Sequence, residues 1–187
     1  GVASLGGYAN VFQKTVLASG VIPQISLIMG PCAGGAVYAP AMTDFIFMVN
    51  KTSHMFVTGP DVVKTVTHEE VTHEELGGAS THTTKSSVAD LAFDDDIQTL
   101  IQARRFMEFL PQNNKGAIKH RETDDPDNRL DESLENLMPR DSSKPYDILE
   151  LITKVVDEAD FFELQKDFAK NIVVGFGRFS GNPVGIV

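Results

Sequence analysis

Between Lys14 and Asp44 the chain carries no charged residue. A stretch that long without Asp, Glu, Lys or Arg belongs either in a membrane or in a protein interior. Its punctuation decides between them. Pro23, Gly30, Pro31, Gly34, Gly35 and Pro40 break the run, and Gln24 and Ser26 interrupt it. A spanning helix needs about 20 mostly apolar residues without such breaks. The stretch therefore reads as a buried strand over Val21–Met29, a stop at Gly30-Pro31, and a small-residue buried helix over Ala33–Met42 with Pro40 near its end.

The remainder extends the alternation. Phe45–Val49 and Met55–Thr58 read as two more short buried strands. Gly59-Pro60-Asp61 is a turn, with Asp61 placed to cap a helix over Val62–Val66. Phe93–Leu110 is the clearest helix, with Asp94, Asp95 and Asp96 at its start and Arg104 and Arg105 near its end. That order suits the macrodipole, and Ile97, Leu100, Ile101 and Met107 repeat at helical spacing as its apolar face. From Pro111 to Pro145 the composition turns proline-rich and charged with no aromatic residue, the mark of a linker or exposed connection. Order resumes with an amphipathic helix over Tyr146–Asp157, followed by a strand over Asn171–Phe179. A turn at Ser180-Gly181-Asn182 then leads to a partner strand over Val184–Val187. The class is α/β, spread over the end of one domain and the start of another. The opening Gly-Val-Ala-Ser-Leu-Gly-Gly and the closing apolar Pro183–Val187 both look cut from something longer.

Charge narrows the partners. With 16 Lys+Arg against 26 Asp+Glu, the formal charge of −10 argues against a phosphate-backbone partner, which needs a basic footprint, while leaving room for one phosphorylated ligand in a local pocket. The single cysteine, Cys32, forbids an internal disulfide and gives no support to secretion.

The stretch Gly30-Pro31-Cys32-Ala33-Gly34-Gly35-Ala36 carries the most chemistry. Glycines at a helix start admit a ligand to the backbone, and the unpaired N–H groups there can hold a developing negative oxygen, such as the enolate oxygen of a thioester. From the spacing alone, a plain packing role for these glycines, permitting close helix–strand approach, is the better reading. Cys32 has no histidine close in sequence to act as its base, so a small packing residue is the better reading. His68 and His73 are five apart, not the four that a helical zinc motif needs, and read as part of a solvated acidic surface. Gly175–Gly181 leads into a hairpin, not a helix, and is no dinucleotide loop. His82 either lines a pocket or caps a turn. Arg178 either reaches a phosphate or carboxylate or is an ordinary exposed strand arginine.

The blocks Ser4-Leu5-Gly6-Gly7-Tyr8-Ala9, Gly30–Tyr38, Phe56–Lys64, Glu75-Leu76-Gly77-Gly78-Ala79 with His82, Ile172–Phe176 and Pro183–Val187 run in one order along the whole chain. In them the chain resembles the carboxyltransferase subunits of biotin-dependent acyl-CoA carboxylases, of the kind that act on propionyl-CoA. The resemblance implies an α/β, crotonase-type (ClpP/crotonase-like) ββα spiral and parts of two tandem domains. Residues 1–122 would be the later part of the N-terminal carboxyltransferase domain, with an exposed connection from about 111. Residues 123–187 would hold the rest of the connection and the start of the C-terminal domain.

It maps an oxyanion pair onto Gly34 and Gly35. It also maps acyl-CoA binding onto Asp157–Val187 with Lys170 and Arg178, and puts the second, biotin-side pair beyond Val187. The implied reaction moves a carboxyl group from carboxybiotin to the α-carbon of propionyl-CoA and makes methylmalonyl-CoA. Biotin would be carried on a partner alpha chain, the beta chains would form a homo-oligomer with shared sites, and this chain would bind neither metal nor ATP. The location implied is the bacterial cytoplasm or mitochondrial matrix, with no nucleic acid or membrane partner, and the 187 residues by themselves would be inactive. Ser87 departs from the family, which usually has Gly before Val-Ala-Asp. Two other readings are a crotonase-type hydratase or thioesterase, which would need a carboxylate or activated nucleophile near Gly34-Gly35, and a non-catalytic oligomerisation fragment.

Overall fold

The computed structural model describes residues 1–141 and 143–187. The chain opens on α1 (Val2–Ala18), a helix that buries none of its residues. Strand β1 (Ile25–Ile28) is shorter than Val21–Met29, because Val21 and Ile22 lie in an exposed turn ahead of Pro23. The helix expected over Ala33–Met42 is instead β2 (Pro31–Ala33), one 3₁₀ turn (Gly34–Val37) and the short α2 (Tyr38–Ala41). Ala33 stays extended because its backbone belongs to a sheet, and Gly34, at φ +64°, cannot continue a right-handed helix. Of Gly34–Ala41 only Val37 and Pro40 are buried.

Strand β3 (Phe45–Val49) forms where expected, and β4 (His54–Phe56) starts one residue earlier than read. In α3 (Pro60–Thr67) the cap is Gly59, not Asp61; Pro60 takes the first helical turn, where its missing N–H costs nothing, and Asp61 follows beside the positive end of the dipole. Then come α4 (His73–Gly77), closed by a Thr72–Glu75 capping box, α5 (Ala79–Thr84) and β5 (Leu91–Phe93). Helix α6 (Asp96–Met107) starts later than Phe93, because Phe93 ends β5 and Asp95 caps the helix by accepting from Gln98 N at 2.8 Å. After the connection come α7 (Ile148–Val155), β6 (Phe162–Leu164), which sequence did not reveal, and the hairpin β7 (Val174–Phe179) and β8 (Asn182–Ile186).

Strands β1 to β5 alternate between two sheets. Strands β1, β3 and β5 form a parallel sheet with β3 central, β2 and β4 form a second parallel pair, and β6, β7 and β8 form an antiparallel sheet. Strand β3 is apolar throughout because both its faces are covered. Side chains alternate along a strand, so Ile46 and Met48 join one cluster with Ile28, Val37, Met55 and Ala79. Phe47 points the other way, into a second cluster with Phe106, Phe109, Phe162 and Leu164. Rings pack through this second cluster, Phe47 tilted on Phe106 at 5.5 Å between centroids and Phe106 stacked on Phe162 at 5.0 Å. Residues from both sides of position 122 thus share one core.

The buried face of α6 is Thr99, Ala103 and Phe106, not the expected stripe. Ile97 (69% exposed), Leu100, Ile101 and Met107 face outward. The small Thr99 and Ala103 let the helix sit close to the sheet, and Phe106 fills the space beside Phe45 at 4.6 Å between ring centroids. Among its described residues the connection is irregular apart from a 3₁₀ turn (Glu132–Asn136), yet it is tied down: Arg121 N donates to Gly181 O at 2.9 Å and Arg129 Nη1 to Lys154 O at 2.7 Å.

Ser87 holds φ +59°, which explains why glycine would suit this position. A left-handed side-chain residue costs about 1–2 kcal/mol, partly offset because glycine gains freedom in the unfolded chain. Ser87→Gly is expected to raise the thermal midpoint by about 2–4 °C, read by calorimetry. A lowered midpoint would show that the loop is not strained.

Candidate active site

The Gly30–Ala36 stretch lies where β2 ends. In β2–β4 pairing, Pro31, Cys32 and Ala33 stand against His54, Met55 and Phe56, and His54 N donates to Gly30 O at 3.3 Å. The chain then reverses at Gly34, whose N–H donates to Val57 O at 3.1 Å. Of the expected pair of open donors, Gly34 is therefore already engaged. Gly35 N–H is a first-turn donor without an intrahelical acceptor and makes no backbone bond to another element among the described residues. A Cβ built on Gly35 would meet only Leu5 Cδ2, at 3.8 Å, so the space above it is open.

Beside this turn runs a groove of about 430 Å³ lined by Val37, Tyr38, Met55, Val57, Thr58 and His82 among others, with no carboxylate among its described lining residues. Cys32 packs against the first core cluster, and burial pushes its thiol up from the ordinary value, so it is held protonated. His82 is fixed in the groove wall: Nε2 lies 2.7 Å from Met55 O and Nδ1 2.8 Å from Ser86 Oγ. His68 ends α3 and His73 begins α4, on separate helices.

The two cations expected to meet acyl-CoA differ sharply. Lys170 is exposed, 3.8 Å from Asp167, at the rim of an apolar groove of about 830 Å³ that includes Tyr146, Ile172 and Phe179. Arg178 is not an exposed strand arginine: its side chain is 2% exposed, its guanidinium lies 4.0 Å over the Phe109 ring, and Nη1 donates to Asp160 at 3.0 Å. So enclosed, it has no free face for a phosphate. Asp160 is a hub that also takes Arg105 at 2.6 Å and Arg121 at 3.2 Å. Burial alone would raise the Asp160 carboxyl, but the Arg105 hydrogen bond and the charges of Arg105, Arg121 and Arg178 outweigh it and hold the group below the usual range.

The model of the carboxyl transferase domain matches residues 1–187. The chain belongs to the carboxyl transferase domain family. It is 64% identical over 187 residues to the propionyl-CoA carboxylase beta chain of Cereibacter sphaeroides, and 57% identical to the mitochondrial propionyl-CoA carboxylase beta chain of Homo sapiens. It spans 37% and 35% of those proteins' lengths. The transcarboxylase 12S core, a hexamer assembly solved with hydrolysed methylmalonyl-coenzyme A, superposes with a TM-score of 0.94 at 43% identity, covering 99% of this chain and 36% of that one.

Within this carboxyl transferase chain, two contributors to the turn escaped the sequence reading. Leu5 was visible in principle, since Leu5, Tyr8 and Phe12 follow helical spacing, and Phe12 meets Tyr38 at 6.4 Å. Val57 acts through its backbone carbonyl, for which residue type gives no signal. No helix among the described residues is long and apolar enough to cross a membrane.

The hub sets a pH dependence. The folded value of Asp160 lies below its unfolded one, so its stabilisation is complete above about pH 4 and is lost as pH falls through the folded value. Asp160→Asn should cost about 3 kcal/mol at neutral pH, because it leaves Arg178 buried without its counter-charge. It should also flatten the acid limb of the stability curve, measured by urea unfolding from neutral pH downward. Equal slopes for the two proteins would remove Asp160 from that role.

Proposed function

We propose that this chain is part of a biotin-dependent carboxyltransferase that moves a carboxyl group from carboxybiotin to the α-carbon of propionyl-CoA, giving methylmalonyl-CoA. The observation that carries the reading is the Gly34-Gly35 turn, in which Gly35 N–H has no backbone acceptor among the described residues; the turn leads directly to Val37 and Tyr38, which line an apolar groove with no carboxylate among its described lining. Removing the α-proton of a thioester places charge on the thioester oxygen, and a fixed N–H aimed at that oxygen stabilises it in the transition state. In this reading Gly35 N–H is the donor. Gly34 contributes its left-handed conformation and its bond to Val57 O, which hold Gly35 in place.

Carboxybiotin supplies the carboxyl group and, once that is released, the nitrogen that accepts the α-proton. No side-chain base is then asked of this chain, which agrees with a groove lacking carboxylates and a His82 whose two ring nitrogens are both engaged. A hydratase or thioesterase of the same fold would need such a base or an activated nucleophile, and Cys32 is held as thiol.

The alternation of strands between two sheets supports a crotonase-type ββα spiral: β1-β2-α2 and β3-β4-α3 each give one strand to each sheet. We assign residues 1–122 to the N-terminal carboxyltransferase domain and 123–187 to the remaining connection and the start of the C-terminal domain, docked through Phe162 and Leu164. Lys170, exposed beside its groove, is the cation proposed to meet acyl-CoA; Arg178 serves from within by holding the hairpin to Asp160. Biotin carried on a partner alpha chain, a homo-oligomer of beta chains, and a bacterial cytoplasmic or mitochondrial matrix location complete the reading. It assigns no metal or ATP to this chain, and turnover to the complete assembly.

In the complete enzyme, Gly35→Val is expected to lower turnover by roughly 10²-fold, the scale of a lost oxyanion contact. Gly35→Ala, whose Cβ would stand 3.8 Å from Leu5, should fold normally. Near-normal turnover in a folded Gly35→Val enzyme would remove Gly35 from the chemistry. Cys32→Ser should keep most of the activity, assayed as carboxylation of propionyl-CoA; complete loss with normal folding and acyl-CoA binding would overturn its assignment as a packing residue.

A further inference from the structure

Gly77 lets the α4–α5 segment lie directly on the outer edge of β4. A Cβ on Gly77 would stand 2.1 Å from Met55 O, so only glycine permits this approach. Gly78 forms an isolated bridge with His54 on the same side. From α5, His82 then reaches back to the strand. A carbonyl can only accept, so the 2.7 Å contact means that His82 Nε2 carries the proton and donates to Met55 O. In the neutral ring Nδ1 is then an acceptor, and the Ser86 hydroxyl donates to it at 2.8 Å. Neither nitrogen remains to move a substrate proton.

The two edges of β4 have different duties. On the inner edge His54 N donates to Gly30 O, and just past the strand Val57 O receives Gly34 N–H. The Met55 carbonyl, between them, turns outward to His82. The imidazole thus satisfies a carbonyl whose strand neighbours set the Gly34 turn.

We propose that His82 is a positioning residue: its bond to Met55 O fixes β4 so that Val57 O holds Gly34 and, through it, the position of the Gly35 N–H. The catalytic consequence rests on Gly35 being the enolate donor; the positioning itself does not. Glutamine places an amide donor about where histidine Nε2 stands, and asparagine about where Nδ1 stands, so His82→Gln keeps the bond to Met55 O and His82→Asn loses it.

The test measures amide hydrogen exchange at Gly34, and kcat and KM for propionyl-CoA, in the complete enzyme with its biotin-carrying partner. His82→Asn should speed Gly34 exchange and lower kcat, each about tenfold, with KM within about twofold, while His82→Gln stays close to the unsubstituted enzyme in all three. Equal Gly34 exchange in the two variants would overturn the proposal. A split in exchange without a split in kcat would support the positioning and sink the Gly35 reading instead. If His82→Asn fails to assemble, His82→Met, similar in length and without a donor for Met55 O, takes its place, and Gly34 exchange should again rise about tenfold; unchanged exchange there would overturn the proposal.

Discussion

The packing of β3 is the constraint on which the other elements depend. Phe45–Val49 has polar groups only in its backbone, and both faces of the strand are covered. Its alternation sorts the molecule in two. Ile46 and Met48 hold the layer that ends in the Gly34 turn, and Phe47 holds α6 and the C-terminal hairpin. Each side chain sits between neighbours it cannot lose cheaply, since removing a buried phenyl ring typically costs about 3–5 kcal/mol. The candidate site lies on the Ile46–Met48 side, and the ion-pair hub on the Phe47 side.

The hub shows why a buried cation is poor evidence for ligand binding. Arg178 satisfies Asp160 and stacks on Phe109, yet its Nε finds no partner among the described residues. Such a group is retained because removing its counter-ion would be worse than keeping it. Arg105, Arg121 and Arg178 converge from α6, the connection and β7 on one carboxylate. The connection is thereby fastened to both parts of the chain, although its composition reads as a linker.

The groove presents the opposite arrangement. Its lining is largely apolar and its histidine is held by two internal hydrogen bonds, while Cys32, packed against the core below, is a thiol. What it offers a ligand is backbone geometry. A site of that kind suits chemistry in which charge develops on an oxygen and the proton goes elsewhere.

Sequence by itself determined the strand β3, the hairpin turn at Ser180-Gly181 and the α7 amphipathic segment. Each is local: an unbroken apolar run, a two-residue turn, a helical period. It also held the family likeness, because ordered blocks survive along the whole chain. Tertiary structure alone decided the rest. The α6 sequence carries two stripes, and Phe106 with its small neighbours goes inward because that face fits the sheet, while Ile97, Leu100 and Ile101 stay out. Arg178 is buried because Asp160, eighteen residues earlier, meets it across the hairpin. Gly34 and Gly35 are adjacent and chemically identical, yet among the described residues only the first amide has a backbone partner, because Val57 O lies opposite it. Hydrogen-bond partners distant in sequence are set by strand register, and register is a property of the assembled sheet.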